Sequence, residues 1–522
     1  MRAYISYVSG SLTLTHTLSF FSHIYLSQSA TANDISYVST TVVMWLHGLL
    51  RSSLEASGDK SLIPRILGSP ENNQLILILA LAMVVLYTCH FLGPKQLEPQ
   101  VERISDPNLC RTLMTGNVPR AGRMNQLSAQ ESKALPSRGL RTVFGIHNAF
   151  TTTDSNRAKE FVREMKHRIS TRFEPFKINC RLPHQVRSWI EGGFDIDDLS
   201  WKCPSSREDR PDGFRVNLTS LVQVLTLHAI LSCICDDSEV NRDLPLLRLA
   251  NLARCINCGW MNSKQGIGHI VRYEDNRELQ AVLQEVFPCH GEGIHNALNF
   301  LLPSFETMWR VVLRGFLQVR FFITADPEWC SVLKAFAESP SKKQFEWRPE
   351  GTVLSTGSAS AKDIVMEVLR LYPPTRRVFR AYRWQENTRS PTAENRSTED
   401  PESYKIIAAD IEACHLNNDI WGLDAKAFRP LRWHHLSQEQ NEAFMPFGAR
   451  PFECPAKTQF GPQMIGLLIG VLVSALEDND PGAKINWRVT DKDTVQCLSN
   501  ARLDMARDAY GTLELIGSWE VN

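Results

Sequence analysis

The stretch FMPFGARPFECPAK, Phe444 to Lys457, sets one cysteine in an aromatic lead-in, follows it at once with Pro455, and is succeeded by the apolar run MIGLLIGVLVSAL at residues 464–476. A cysteine just ahead of a helix lies where backbone N–H groups point outward and the helix dipole favours negative charge, so a thiolate is stabilised there and can bind a metal. Pro455 suits a first helical position, because its missing N–H would have had no intrahelical partner. The apolar run would bury that helix. A single cysteine is more often a plain buried residue, so the reading of Cys454 depends on what else the chain carries.

Upstream lies EVLRLYPPTRRVFRAYRW, residues 367–384. Glu367 and Arg370 are three apart on an amphipathic pattern, on one helix face, where a bidentate carboxylate–guanidinium pair can form. Alone this reads as a surface ion pair. The order changes the reading: Glu-x-x-Arg, then HLNNDIWGLDAKAFRPLRW at residues 415–433, then the cysteine loop. Together these segments resemble the cytochrome P450 family of heme-thiolate monooxygenases, from about residue 141 to the C-terminus and most strongly between Leu302 and Leu476.

The resemblance implies a cytochrome P450 fold, mainly α with small β-sheets, and heme b with Cys454 as axial iron ligand. It makes Phe447 the aromatic residue near the heme and Gly448 the glycine of the tight loop. Glu367, Arg370 and Arg432 become a structural triad, with His415, Trp421, Gly422, Phe428 and Pro430 in the segment leading to Arg432. The loop departs from the common pattern at Arg450, Phe452 and Ala456, which stand where a glycine, a cation and a glycine are usual. It is similar to a divergent loop of filamentous-fungal microsomal members. The missing cation normally meets a heme propionate, so the resemblance turns to Arg380, ten after Arg370, and to Arg450. Glu306 and Thr307, in LLPSFETMWRVVLR, match the acid and alcohol that relay protons for oxygen chemistry, although Pro303 and Ser304 replace the usual small residues and Pro303 is expected to disturb the helix.

Composition is neutral on partners. Lys+Arg and Asp+Glu both number 57 in 522 residues, which offers no global field for nucleic acid. Thirteen cysteines without framework spacing fit a reducing compartment. Cys255-x-x-Cys258 with Cys289-His290 has partial zinc spacing, but the second pair is wrong for a closed site. Asn217 and Asn395 begin glycosylation sequons by pattern alone.

Residues 75–92, LILILALAMVVLYTCHFL, are uncharged and would span roughly 27 Å as a helix, close to a bilayer core. They predict a transmembrane anchor ahead of the catalytic fold, hence a single-pass endoplasmic-reticulum membrane protein with a cytosolic catalytic domain. Residues 1–72 form an extension that is either a second membrane contact or the product of an upstream start, and 93–140 a linker leading into the catalytic domain at 141–522. Helical periodicity dominates thereafter; strands are expected in YKIIAADIEA and GTLELIGSWEV, and an exposed loop in WQENTRSPTAENRSTEDPES.

The expected function is oxidation of a small lipophilic metabolite by hydroxylation or epoxidation, in fungal secondary metabolism. No flavin or nicotinamide fingerprint is present, so the resemblance implies NADPH electrons from a separate cytochrome P450 reductase. Arg429, Arg432, Arg450 and Lys457 are candidates for its basic docking face. Two alternatives stay open: a heme-thiolate isomerase or dehydratase that does not use oxygen, and a catalytically dead membrane-anchored binding protein.

Overall fold

Leu298–Arg320 is a 23-residue helix whose side chains from Val311 to Val319 are buried on every side, so it runs through the middle of the molecule. Pro303 does not break it. A proline removes the N–H that would serve the carbonyl four residues back, here Asn299, and the Asn148 side-chain amide donates to that carbonyl at 3.0 Å instead. The Asn299 side chain in turn accepts from the His147 N–H at 2.7 Å. The segment before Ser155 is thereby fastened to the central helix at the point of potential weakness.

In this computed structural model the chain divides into two units, residues 1–100 and 101–522. The structure describes the second apart from short stretches, the longest being 192–213 and 384–403. Helices Leu218–Ile234 and Pro327–Glu338 flank the central one, and the Phe460–Leu476 helix, apolar almost throughout, packs on Pro327–Glu338, on the central helix and on Ala361–Leu371. Gly470 permits the closest of these approaches: a Cβ there would overlap the Leu333 carbonyl oxygen and lie 2.7 Å from Ala337 Cβ.

Two three-stranded sheets complete the fold. In one, β1 (Glu102–Ile104) pairs parallel with β4 (Lys405–Asp410), which pairs antiparallel with β3 (Arg377–Tyr382). In the other, β6 (Glu514–Trp519) lies between β2 (Phe214–Asn217) and β5 (Ile485–Val489). The strand expected in YKIIAADIEA ends at Asp410, whose side chain accepts the Ala413 N–H and caps a short helix, Ile411–His415. The loop expected at 384–403 lies outside the described residues.

The membrane expectation is corrected. Residues 1–72 and 75–92 lie outside the described residues, and among the described residues no helix is long and apolar enough to cross a membrane. The central helix has the length but carries Glu306, Arg310 and Arg314; Phe460–Leu476 has the apolarity but only 17 residues, where about 20 are needed, and lies in the core. A fold preceded by a transmembrane anchor, and a single-pass endoplasmic-reticulum location, therefore have no helix here to rest on. What stands is a mainly α fold with small β-sheets.

Gly470→Ala is expected to lower stability by about 1–3 kcal/mol, because the overlap with the Leu333 backbone outweighs the helix propensity that alanine gains. Gly466→Ala, where a Cβ would meet only side chains at 3.2–3.3 Å, is the control and should cost less. Denaturant midpoints compare the two; equal midpoints would refute the close approach.

Candidate functional site

The Ala361–Leu371 helix begins with a capping box between Ser360 and Asp363 and ends in a buried charge cluster. Glu367 and Arg370, both fully buried, form a bidentate pair at 2.7 and 2.9 Å. The same carboxylate accepts from Arg432 Nε at 2.9 Å, the Arg429 N–H at 2.9 Å and Trp433 Nε1 at 3.0 Å. Arg370 also donates to the carbonyls of His415, Ala425 and Ala427. The structure thus brings Glu367, Arg370 and Arg432 together, and with them the whole segment from His415 to Trp433.

His415 carries the connection onward. Its Nδ1 lies 3.0 Å from the Arg370 carbonyl and its Nε2 accepts the Met445 N–H at 3.0 Å. These partners fix a neutral ring protonated on Nδ1, and burial pushes its pKa down to about 3. Met445 opens the cysteine loop. Gly448, at φ +73°, donates its N–H to the Met445 carbonyl, and the Cys454 N–H reaches back to the Phe447 carbonyl at 2.9 Å. Phe447 packs against the core beside Gly461, where a Cβ would lie 2.9 Å from its ring.

The helix after the loop starts at Phe460, not at Pro455, and residues 455–459 form turns. Cys454 is therefore not a helix cap. Its sulfur instead has the Ala456 N–H as a hydrogen-bond donor. The side chain is solvent-accessible, yet burial pushes the thiol up while the Ala456 N–H and Lys133 pull it back. The thiol is thus accessible to solvent with Lys133 close by.

Two cations share that neighbourhood. Arg380, on β3 and 4% exposed, donates to the Phe379 and Met114 carbonyls, while its Nε has no partner, and burial pushes it down to about 10. Lys133, on helix Ala129–Ala134, is pulled down to about 7 by burial, then by Arg380. Both face the Phe452 ring, at 4.7 Å for Lys133 Nζ and 5.3 Å for the Arg380 guanidinium, and Lys133 also lies over Phe150 at 4.8 Å. Among the described residues neither cation has a carboxylate partner. Such a cradle suits an anion, and the partnerless Arg380 Nε fits a carboxylate-bearing group such as heme beside Cys454. Lys133 thus places a cation beside Phe452. The sequence carried no signal for it, because AQESKA reads as an ordinary polar helix. Arg450 stands exposed on its turn.

On the central helix the acid and the alcohol face different ways. Glu306, 1% exposed, is held by Arg310 Nε at 3.0 Å and by Trp309 Nε1 at 3.2 Å, and Arg310 reaches across to Asn257 at 2.7 Å. Thr307 belongs instead to a half-buried stripe with Phe300, Pro303 and Ser304, and its hydroxyl donates to the Pro303 carbonyl at 3.2 Å.

The proposed docking cations are largely engaged: Arg432 in the triad, Arg429 with Asp424 at 2.8 Å, Lys457 with Glu453 at 2.6 Å. Cys255 and Cys258 lie on one helix, the first buried with its thiol pushed up to about 11. Among the described residues no group of three or more His, Cys, Asp or Glu side chains is placed to hold a metal ion; a lone thiolate ligand is not such a group. Asn217 caps the Leu218–Ile234 helix by accepting the Ser220 N–H, and Asn395 lies outside the described residues.

No protein-family model matches the chain. A stretch of 52 residues is 42% identical to part of the cytochrome P450 monooxygenase apdE of Emericella nidulans, a match covering a tenth of this chain and a tenth of that protein. The crystal structure of a six-coordinated cytochrome P450 from Thermus thermophilus aligns with a TM-score of 0.41 at 13% identity, over 80% of this chain and 93% of that one.

Glu367→Ala leaves two buried guanidiniums without their carboxylate, and a loss of about 3–5 kcal/mol is expected in denaturant unfolding; a change under about 1 kcal/mol would mean the cluster behaves as a surface contact. His415 adds a pH dependence. Its folded pKa of about 3 lies below its unfolded value of 6.5, so the unfolded chain binds the extra proton. Its contribution is complete above about pH 6.5 and falls by about 1.4 kcal/mol per pH unit below it. In His415→Gln the unfolding midpoint should flatten between pH 6.5 and 4 relative to wild type; parallel curves would refute the assignment.

Proposed function

We propose that this chain is a heme-thiolate oxygenase of the cytochrome P450 kind, hydroxylating or epoxidising a small lipophilic metabolite of fungal secondary metabolism. The observation that carries the reading is the accessible Cys454 thiol beside half-buried Lys133 and buried Arg380, which have no carboxylate partner among the described residues. The 52-residue likeness to a fungal cytochrome P450 monooxygenase supports it.

Heme bound through Cys454 supplies the oxygen-activating chemistry, since a thiolate donor pushes electron density toward iron and favours O–O cleavage. The chain's own residues prepare the site. The Ala456 N–H and Lys133 favour the Cys454 thiolate that burial opposes. Lys133 and Arg380, which share the Phe452 ring, would hold the carboxylates of a bound heme, and Phe447 would pack near it. The stripe of Phe300, Pro303, Ser304 and Thr307 lines the side where substrate sits, and the Thr307 hydroxyl, resting on the Pro303 carbonyl, is the alcohol that passes a proton. Glu306 serves that relay as its acid when Arg310 releases it. Electrons come from NADPH through a separate cytochrome P450 reductase, whose contact surface is smaller than four cations, given the engagement of Arg429, Arg432 and Lys457.

One observation favours a second reading. With Glu306 locked onto Arg310, rearrangement of an already oxygenated substrate, as in a heme-thiolate isomerase or dehydratase, dispenses with the proton relay for oxygen activation.

The purified protein, reduced under carbon monoxide, is expected to show the red-shifted Soret band of a thiolate opposite carbon monoxide, and Cys454→Ser to lose it. Lys133→Met should retain heme more weakly, with faster heme transfer to apomyoglobin. A thiolate spectrum that survives Cys454→Ser would overturn the assignment. Thr307→Ala separates the two chemistries: under the oxygenase reading it keeps the spectrum while NADPH consumption uncouples from product, and under the isomerase reading turnover is unchanged.

A further inference from the structure

Cys454 is not the only cysteine placed with purpose. Cys110, on helix Pro107–Met114, and Cys414, on helix Ile411–His415, are 304 residues apart in sequence, yet their sulfurs lie 3.7 Å from each other. Both are fully buried. Each thiol also faces a carbonyl, Cys110 that of Ile104 and Cys414 that of Ser105, both at 3.1 Å. A disulfide needs a separation of about 2.05 Å, so the sulfurs have to close by roughly 1.7 Å and give up those carbonyls.

The surroundings give such a bond consequences. The two cysteines share a packed cluster with Met114, Tyr382, Met445 and Ala449. Met445 and Ala449 belong to the Cys454 loop, and the Met114 carbonyl holds Arg380. His415, next to Cys414, ties the Arg370 carbonyl to the Met445 N–H. Close-packed interiors transmit displacements of this size rather than absorb them.

We infer that Cys110 and Cys414 are a reversible dithiol–disulfide pair, oxidised by hydrogen peroxide, whose closure shifts the Cys454 loop. One thiol sulfur attacks the peroxide O–O bond to give a sulfenic acid and a water. The second thiol attacks that sulfur, the S–S bond forms and the hydroxyl leaves with a proton as a second water. Two thiols give up two electrons to one peroxide, and both protons end in water. The hydrogen bond to Cys110 and burial push the Cys414 thiol up, which makes the thiolate scarce and the step slow. The inference stands independently of whether Cys454 binds heme.

Full-length protein is treated with hydrogen peroxide, alkylated in denaturant, digested and analysed by mass spectrometry, with hydrogen–deuterium exchange followed over residues 444–454. The expected result is a linked pair of peptides containing Cys110 and Cys414, lost on dithiothreitol treatment and absent from Cys110→Ala and Cys414→Ala, and a reversible change of at least threefold in exchange of the loop. Oxidation of the exposed Cys258 and Cys289 with no such link would overturn the pairing, as would linkage of either cysteine to another partner. A link with unchanged exchange in 444–454 would overturn its action on the loop. Should either variant fail to fold, the wild-type measurements decide alone.

Discussion

The Glu367 carboxylate is the constraint from which the rest of this region hangs. It is fully buried and takes five hydrogen bonds, from two guanidiniums, an indole and a backbone N–H. Asp424 gives Arg432 a second, longer ion pair at 3.6 Å, and carbonyls of residues 415, 421, 424, 425 and 427 accept the remaining guanidinium N–H groups. A buried ion pair is weak evidence for stability, since desolvation cancels much of the attraction. Its value here is positional. Replacing the cluster with apolar side chains could preserve packing, but nothing apolar would specify which backbone carbonyls meet the Ala361–Leu371 helix, and hence where Met445 begins.

The same comparison of costs runs the other way at Lys133 and Arg380. Here one cation is buried and one half-buried, and the protein supplies carbonyls and aromatic faces but, among the described residues, no carboxylate. Desolvation is opposed only by neutral acceptors, as the downward displacement of each pKa records. Such an arrangement suits an anion.

Much of this was legible in the sequence, and the limits are instructive. The three-residue spacing of Glu367 and Arg370 and the order of the later segments marked the cluster, because helical geometry makes local pairs visible. The central helix and the Phe460–Leu476 helix were legible as apolar periodicity. Lys133 was not, because its relation to Phe452 is purely tertiary and its helix has nothing to distinguish it. Pro455 misled for a related reason: proline fits a first helical position, but it fits a turn as well, and the hydrogen bond of the Gly461 N–H to the Ala456 carbonyl starts the helix later. A spanning-length apolar run at 75–92 says nothing of where it is placed, and the described helices offer no span.

Glu306 shows how adjacent residues in a motif can be parted by geometry. Successive positions on a helix differ by about 100°, so an acid and an alcohol side by side in sequence cannot both face one recess squarely. The four-residue spacing of Glu306 and Arg310 already contained the outcome, since that spacing favours an ion pair along one face. The structure adds why the pair holds: Trp309 donates to the same carboxylate, and Arg310 is anchored across to Asn257 on the neighbouring helix. Moving the acid toward Thr307 therefore requires the Leu246–Asn262 helix to yield its hold on Arg310. The placement of the Glu306 carboxylate is thus tied to the position of that helix.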